Sequence, residues 1–393
     1  MLVIREKYLD KLSSLQDKRI IKVITGARRC GKSTLFMQFM DRLKKQGISA
    51  KQIQSYNFED IKWQKTYTEV SDIIESKLAK SQMNYIFLDE VQNIESFEKL
   101  VDSLFLKKNT DIYITGSNAF LLSGELATLL TGRYIEIKVQ PFSFREYMQL
   151  EGMDEIEKSF AKYLKNGGFP QSVEMFNIDE SSGIEYLNSI FNSILVKDII
   201  PRVGDSSSLE KIAKFLQDNI GNQTSVNKIS NDTSVGYRKV EKYLDALNSS
   251  YLVSALERYN LKGREILKTG QKYYTIDVGL RRAVLGQDAS TNRGHILENV
   301  VYLELLNRNY QVWSGQTKTN GEVDFVARNS KGDIEYFQVC ETMMNEDTRR
   351  RELAALESID DNNPKTILTR DYDEYNYDGV RQKNVVKWLL EKD

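Results

Sequence analysis

Over the first 140 residues, short unbroken apolar runs alternate with stretches whose apolar positions recur every three or four residues. The runs predict strands at Arg19–Thr25, Ile53–Phe58, Tyr85–Leu88, Ile112–Thr115 and Tyr134–Val139. Four of them are nearly continuous in Ile, Val, Tyr and Phe, the pattern of parallel strands covered on both faces. Ile53–Phe58 is more polar. Between them, Ser33–Gln46 and Ser96–Lys107 carry helical amphipathic patterns. Strand and helix alternating in this way predict an α/β fold with a doubly wound parallel sheet.

The pattern changes after Pro141. From Phe142 to Ile200 it is helical, interrupted by Asn166-Gly167-Gly168-Phe169-Pro170. Pro201 and the run Gly204-Asp205-Ser206-Ser207-Ser208 mark a boundary. Helical stretches follow at Leu209–Asn219, Ser225–Asn231 and Val235–Ser249, then strands at Tyr251–Tyr259 and Gln271–Ile276. Three helices followed by a hairpin are the order of a winged helix. The remainder predicts a small α/β domain. Its elements are helix His295–Leu306, strands Tyr310–Ser314, Val323–Ala327 and Ile334–Cys340, helix Arg349–Ile359, strand Lys365–Thr369 and helix Val380–Leu390. The expected divisions are therefore 1–140, 141–200, 201–285 and 286–393.

Composition narrows the chemistry. The 393 residues contain 55 Lys plus Arg and 56 Asp plus Glu, a net charge of -1, so any nucleic-acid surface must be a local patch. One histidine, His295, and two cysteines, Cys30 and Cys340, are too few for a Cys/His zinc site or a disulfide framework. The first twelve residues mix charges among apolar positions, unlike a signal peptide, and no apolar run approaches the ~20 residues of a membrane span. A cytoplasmic protein in a reducing compartment is the expectation.

The strongest local signal is Gly26-Ala27-Arg28-Arg29-Cys30-Gly31-Lys32-Ser33, followed by Thr34. It matches G-x-x-x-x-G-K-[ST] and sits between a predicted strand and an amphipathic helix, the context the motif requires. Its glycines let successive backbone N–H groups turn inward onto phosphate oxygens, and the helix adds its positive end. Lys32 would reach the β- and γ-phosphates, and Ser33 offers a hydroxyl to Mg²⁺. Cys30 reads as a small loop residue. Tyr85-Ile86-Phe87-Leu88-Asp89-Glu90 is a buried strand ending in two carboxylates. Asp89 would hold the metal, and Glu90 would polarise the water that attacks the γ-phosphate. After the next strand, Ser117 and Asn118 are candidates to orient that water. Arg133, just before the fifth strand, is a candidate to stabilise transition-state charge, in cis or in a neighbouring subunit.

With these motifs the chain resembles the AAA-plus ATPases, and among them a prokaryotic group that joins a Walker-type ATPase domain to a C-terminal domain of unknown function. Further matching segments are Pro141-Phe142-Ser143-Phe144-Arg145-Glu146-Tyr147, Gly167-Gly168-Phe169-Pro170, Tyr274-Thr275-Ile276-Asp277-Val278-Gly279-Leu280, Leu297-Glu298-Asn299 and Gly321-Glu322-Val323-Asp324-Phe325. The resemblance implies a P-loop NTPase core over 1–140, ATP and Mg²⁺ as cofactors, a helical lid over 141–200 and a winged helix over 201–285. It also implies that Pro170 closes over the adenine. The tail, 286–393, resembles a PD-(D/E)xK nuclease, with Glu298 as the helix carboxylate and Asp324 as the first strand acid. The second strand should read acid-x-lysine and instead reads Gln338-Val339-Cys340. The expectation is a nuclease relative that has lost cleavage.

Function follows as an ATPase that couples its nucleotide state to a C-terminal module binding a partner, either a protein or DNA. Lys228, Arg238, Lys239 and Lys242, with Arg349-Arg350-Arg351, are the cations that could meet DNA phosphates. The alternatives are an ATP-regulated metal-dependent nuclease and an ATP-switched interaction scaffold.

Overall fold

The computed structural model describes residues 2–117, 130–152, 154–263, 265–286, 292–317 and 321–392. The chain divides into two compact units. The first is residues 1–140 with 249–251, and the second is 141–248 with 252–393. Among the described residues no helix is long and apolar enough to cross a membrane.

The first unit is built on five parallel strands, β1 (Ile21–Thr25), β2 (Ile53–Asn57), β3 (Asn84–Asp89), β4 (Thr110–Thr115) and β5 (Tyr134–Lys138). Their order is β2-β3-β4-β1-β5. β1 and β3 are buried at every position, as their unbroken apolar runs demand. Helices α1 (Glu6–Leu15), α2 (Lys32–Lys45), α3 (Tyr67–Glu75) and α4 (Phe97–Leu106) bury their apolar stripes. α2 is fixed by aromatic contacts: Phe36 meets Phe87 edge-on at 5.1 Å, and Phe87 stacks on Tyr113 at 4.7 Å. Since α2 begins directly after the glycine-rich loop, this packing also sets where that loop ends.

One polar feature lies inside the sheet. Lys22 on β1 pairs with Asp111 on β4, and both side chains are almost fully buried. Asp111 also accepts from the Tyr113 hydroxyl (2.8 Å) and the Asp17 N–H (2.9 Å), and Lys22 donates to the Lys18 carbonyl (3.1 Å). Burial pushes the Asp111 carboxyl up and the Lys22 ammonium down, and each partner opposes the other's shift.

The second unit contains an eight-stranded mixed sheet, ordered β12-β13-β11-β10-β9-β8-β6-β7. Its strands are β6 (Val253–Asn260), β7 (Glu265–Thr275), β8 (Gln311–Gln316), β9 (Glu322–Arg328), β10 (Ile334–Val339), β11 (Lys365–Thr369), β12 (Tyr375–Tyr377) and β13 (Val380–Asn384). The hairpin β6–β7 follows helices Ser206–Asp218, Val226–Thr233 and Tyr237–Ser249, and a bridge joins Thr224 to Gln271. That hairpin does not end a separate domain: β6 pairs in parallel with β8. One core joins Phe144 and Phe160 of the helical segment with Leu256, Tyr274, Val301, Phe325 and Trp388. The segments expected over 141–200, 201–285 and 286–393 thus share a core.

Two motif segments clasp one another in this unit. Asp277 caps helix Val278–Leu285 by accepting from the Leu280 N–H (2.9 Å), and its other oxygen accepts from the Gly168 N–H (2.6 Å). A Cβ on Gly167 would lie 2.0 Å from that carboxylate, so only glycine fits there. Burial raises Asp277 to about 6, opposed by its backbone donors.

Val380–Leu390, expected as one helix, is instead a strand and a short helix. Val380 and Gln382 are buried and Arg381 exposed, an alternation of period two that pairs with β11. Asn384 then caps helix Val385–Leu390 by accepting from the Lys387 N–H. The helical segment also runs past Ile200 and ends at Gly204, whose φ is +73°.

Replacing Lys22 with Ala leaves Asp111 buried without its cation. It should lower unfolding free energy by ~3–5 kcal/mol in urea titrations. The double replacement Lys22→Met with Asp111→Leu should cost clearly less. Equal losses in the two proteins would show that the pair's charge is not what matters.

Candidate active site at the carboxyl edge of the first sheet

Parallel register decides which residues meet. Ile24 lies beside Thr115 and Leu88 beside Ile114, so Gly26, Asp89 and Gly116 leave the sheet at the same edge. In open α/β sheets this edge is where ligands bind.

The loop after β1 is shaped for close approach. Gly26 has φ +141°, and a Cβ there would lie 2.1 Å from the Val139 carbonyl oxygen. Arg29 (φ +65°) and Gly31 (φ +100°) are both left-handed. Gly31 is the N-cap of α2 and has no side chain to cap it, which leaves the positive end of a 14-residue helix facing the loop. Cys30 is fully buried, with Sγ 3.4 Å from the Val139 oxygen. Burial pushes its thiol up, against the pull of Lys32, which suits a packing residue and not a nucleophile. Behind the loop, the buried Arg5 donates to the Cys30 carbonyl (3.1 Å). Arg28 lies 3.8 Å from Glu59.

Lys32 Nζ is 3.1 Å from the carbonyl oxygens of Gly26 and Ala27 and 3.5 Å from Glu90 Oε1. Asp89 accepts hydrogen bonds from the hydroxyls of Ser33 and Thr115. Burial raises the Asp89 carboxyl, and the two hydroxyls oppose that shift. Thr115 Oγ1 also accepts from the Glu90 N–H (2.9 Å). Glu90 has φ +53°, and its Oε2 accepts from Gln92, whose Nε2 is 3.5 Å from Ser117 Oγ. The structure thus brings together Lys32, Ser33, Asp89, Glu90 and Ser117 from three segments of the sequence.

The donor set fits a nucleotide with a hard cation. Ser33 and Asp89 present adjacent oxygen donors, and Mg²⁺ takes one or two protein oxygens with the rest from phosphate and water. Among the described residues no three His, Cys, Asp or Glu side chains form a metal cage.

The other predicted residues stand elsewhere or outside. Asn118 lies outside the described residues. Arg133 is at the opposite edge of its own sheet. Its carbonyl accepts from the Ile21 N–H, at the start of β1, and its guanidinium meets Asp102 on α4 at 2.8 Å. Five strand residues, about 16 Å, separate that edge from the glycine-rich loop, so a role in cis is excluded. Pro170 is the first residue of helix Pro170–Ile178 in the second unit. Sequence reasoning assigned no role to Thr115, Gln92 or Arg5. Thr115 had a visible signal, as the last residue of the strand beside Asp89.

A second polar cluster lies in the second unit. Lys272 on β7 is 2.9 Å from Glu298, 2.7 Å from Glu322 and 3.8 Å from Asp324. Burial would lower this ammonium, but the surrounding carboxylates outweigh it and raise it. Burial and the Glu298 charge push Asp324 well above the carboxylate range. Gln338 accepts from the Asp324 N–H (3.1 Å) and donates to Glu352 (2.7 Å). Burial pushes the Cys340 thiol up. The sequence offered no signal for Lys272, which lies 68 residues from Cys340. His295 Nδ1 is buried without a hydrogen-bond partner. Several cations expected to face DNA are tied down: Lys239 pairs with Asp205, Arg350 with Glu346 and Arg351 with Glu352.

The AAA domain family matches residues 18–148, and a domain of unknown function (DUF8612) matches 157–291. An uncharacterized protein of Haemophilus influenzae is 40% identical over 405 residues, covering 99% of each chain. Uncharacterized protein MJ1544 of Methanocaldococcus jannaschii is 28% identical, covering 89% of this chain and 82% of that one. Among solved structures, a Walker-type ATPase of Pyrococcus abyssi aligns with a TM-score of 0.47 at 16% identity, over 72% of this chain and 96% of that chain. The chain belongs to the prokaryotic AAA-plus ATPases that carry a C-terminal domain of unknown function.

Proposed function

We propose that the chain binds ATP with Mg²⁺ at Gly26–Ser33 and hydrolyses it, coupling the nucleotide state to a partner through its C-terminal half. The observation that carries this reading is the convergence of Lys32, Ser33, Asp89, Glu90 and Thr115 at one sheet edge. Backbone N–H groups from Ala27 to Thr34 cradle the phosphates. Lys32 exchanges its loop carbonyls and Glu90 for β- and γ-phosphate oxygens. Mg²⁺, held by Ser33 and Asp89, supplies charge neutralisation on those oxygens. Glu90, released from Lys32 and aimed by Thr115 and Gln92, accepts the proton of the attacking water. Ser117 and Asn118 orient that water. Arg133 serves the site of a neighbouring chain, since its own is out of reach.

In the second unit we read 141–200 as a helical lid that carries Pro170, 201–285 as a winged helix and 286–393 as nuclease-like. The partner it engages is a protein or DNA. A second reading, an ATP-regulated nuclease, draws on Lys272, which brings an ammonium to Glu298 and Asp324 where the motif's own lysine is replaced by Cys340. We favour a non-cleaving domain. That ammonium already contacts three carboxylates, and Gln338 offers no second strand carboxylate to a metal.

Lys32→Ala should abolish ATP binding in a fluorescence titration. Glu90→Gln should keep it and lose turnover by ~10²–10⁴-fold. Turnover per chain should rise with protein concentration in the wild type if Arg133 works in trans. Wild-type turnover by Glu90→Gln would displace Glu90 from its role.

Incubation of the full chain with DNA and Mn²⁺ should yield no cutting. Mg²⁺- or Mn²⁺-dependent cleavage that is lost in Asp324→Ala but kept in Lys32→Ala would instead establish the nuclease reading.

A further inference from the structure

The second unit carries a half-open cavity of about 500 Å³ beyond the carboxyl ends of the parallel strands β10 and β11. Glu341 and Arg370, which follow those strands, line it, and the Arg370 N–H donates to the Glu341 carbonyl (3.2 Å). Helices Ile156–Asn166, Val278–Leu285 and Arg293–Asn307 complete the wall.

Two properties of this wall stand out. The first is charge: Lys165, Arg281, Arg282, Arg293 and Arg370 line the cavity against a single acid, Glu341. Lys165 and Arg282 share the exposed Glu180, Arg370 leans toward Glu157 at 3.5 Å, and Arg281 lies near Asp218. Among the described residues, five cations thus stand against four acids, Glu341, Glu180, Glu157 and Asp218. The second is an unmet donor. Arg370 Nε is buried beside the cavity without a hydrogen-bond partner. Arg281, 1% exposed, is anchored by donating from Nε to the Gln217 carbonyl (2.8 Å). The rest of the wall is apolar, with Leu164, Val278 and Ile296.

We propose that this cavity binds a phosphate monoester carried on a flat apolar body, that is, a nucleotide, either free or at the end of a nucleic-acid strand. Arginine forks match phosphate oxygens in pairs and also stack on aromatic rings. The apolar wall suits the face of a base, and the volume is that of a small-molecule site, far more than an inorganic ion needs. Glu341 offers an acceptor to a base amino group. All of its lining residues belong to the second unit.

The test uses the full chain carrying Lys32→Ala, which silences the loop and leaves the second unit unchanged. AMP, inorganic phosphate and a 5′-phosphorylated single-stranded oligonucleotide are titrated by calorimetry. AMP or the oligonucleotide should bind at one site per chain, more weakly at high salt. Arg370→Gln and the surface variant Arg293→Glu should each weaken binding at least about tenfold, and Ile296→Trp, which fills the cavity, should remove it. Thermal melts check that each variant is folded. Saturation by AMP identifies a free nucleotide, and saturation by the oligonucleotide alone identifies a strand end. The proposal is overturned if no probe saturates, if phosphate binds as tightly as AMP, or if folded Arg293→Glu and Ile296→Trp bind as the parent does.

Discussion

The nucleotide site depends on one constraint, the parallel register of β1, β3 and β4. It brings the end of β1, with its glycine-rich loop, level with the carboxylates that end β3 and the hydroxyl that ends β4. A slip of one residue would turn Asp89 to the other face of the sheet. Thr115 then ties the ends of β3 and β4 together, donating to Asp89 and accepting from the Glu90 N–H. The left-handed turn at Glu90 and the close approach at Gly26 are local strain held by that frame. The buried Lys22–Asp111 pair stands between the same strands β1 and β4 and helps fix their pairing.

The second unit follows a different logic. Its first helices, hairpin and terminal strands contribute to one core, and a second core, with Trp313, Val326, Tyr336, Leu356 and Ile367, draws its buried residues from the terminal elements alone. β6 joins β8, and apolar residues from Phe144 to Trp388 pack as one cluster. The Asp277 clasp links the Gly167–Pro170 turn to the helix that follows β7. The cluster around Lys272 is a further link. An ammonium shared by Glu298, Glu322 and Asp324 neutralises buried acids and holds β7, β9 and helix Arg293–Asn307 in place.

Much of this was legible in the sequence because the signals are local. Unbroken apolar runs marked the strands of the first sheet, and Gly26–Ser33, Asp89 and Glu90 marked the site by type and spacing. The misreadings arose where long-range pairing decides the outcome. Val380–Asn384 carries a helix-compatible composition and becomes a strand because β11 offers it a parallel partner. Arg133 looked free to reach its own site, yet its position at the start of β5 follows from register alone. Lys272 could not be found from motif spacing, because its side chain meets acids from two other elements only in the folded unit. Thr115, 26 residues from Asp89 in sequence, meets that carboxylate because β3 and β4 pair in parallel.

The central claim is that this sheet edge performs Mg²⁺-dependent ATP hydrolysis. The most direct measurement follows phosphate release from ATP by the full-length wild-type chain, with Mg²⁺ and after its removal by a chelator, beside Thr115→Val. The account predicts steady release with Mg²⁺, none after chelation, and a large loss in Thr115→Val with ATP binding retained. Release that ignores the chelator, or that proceeds unchanged in Thr115→Val, would contradict it.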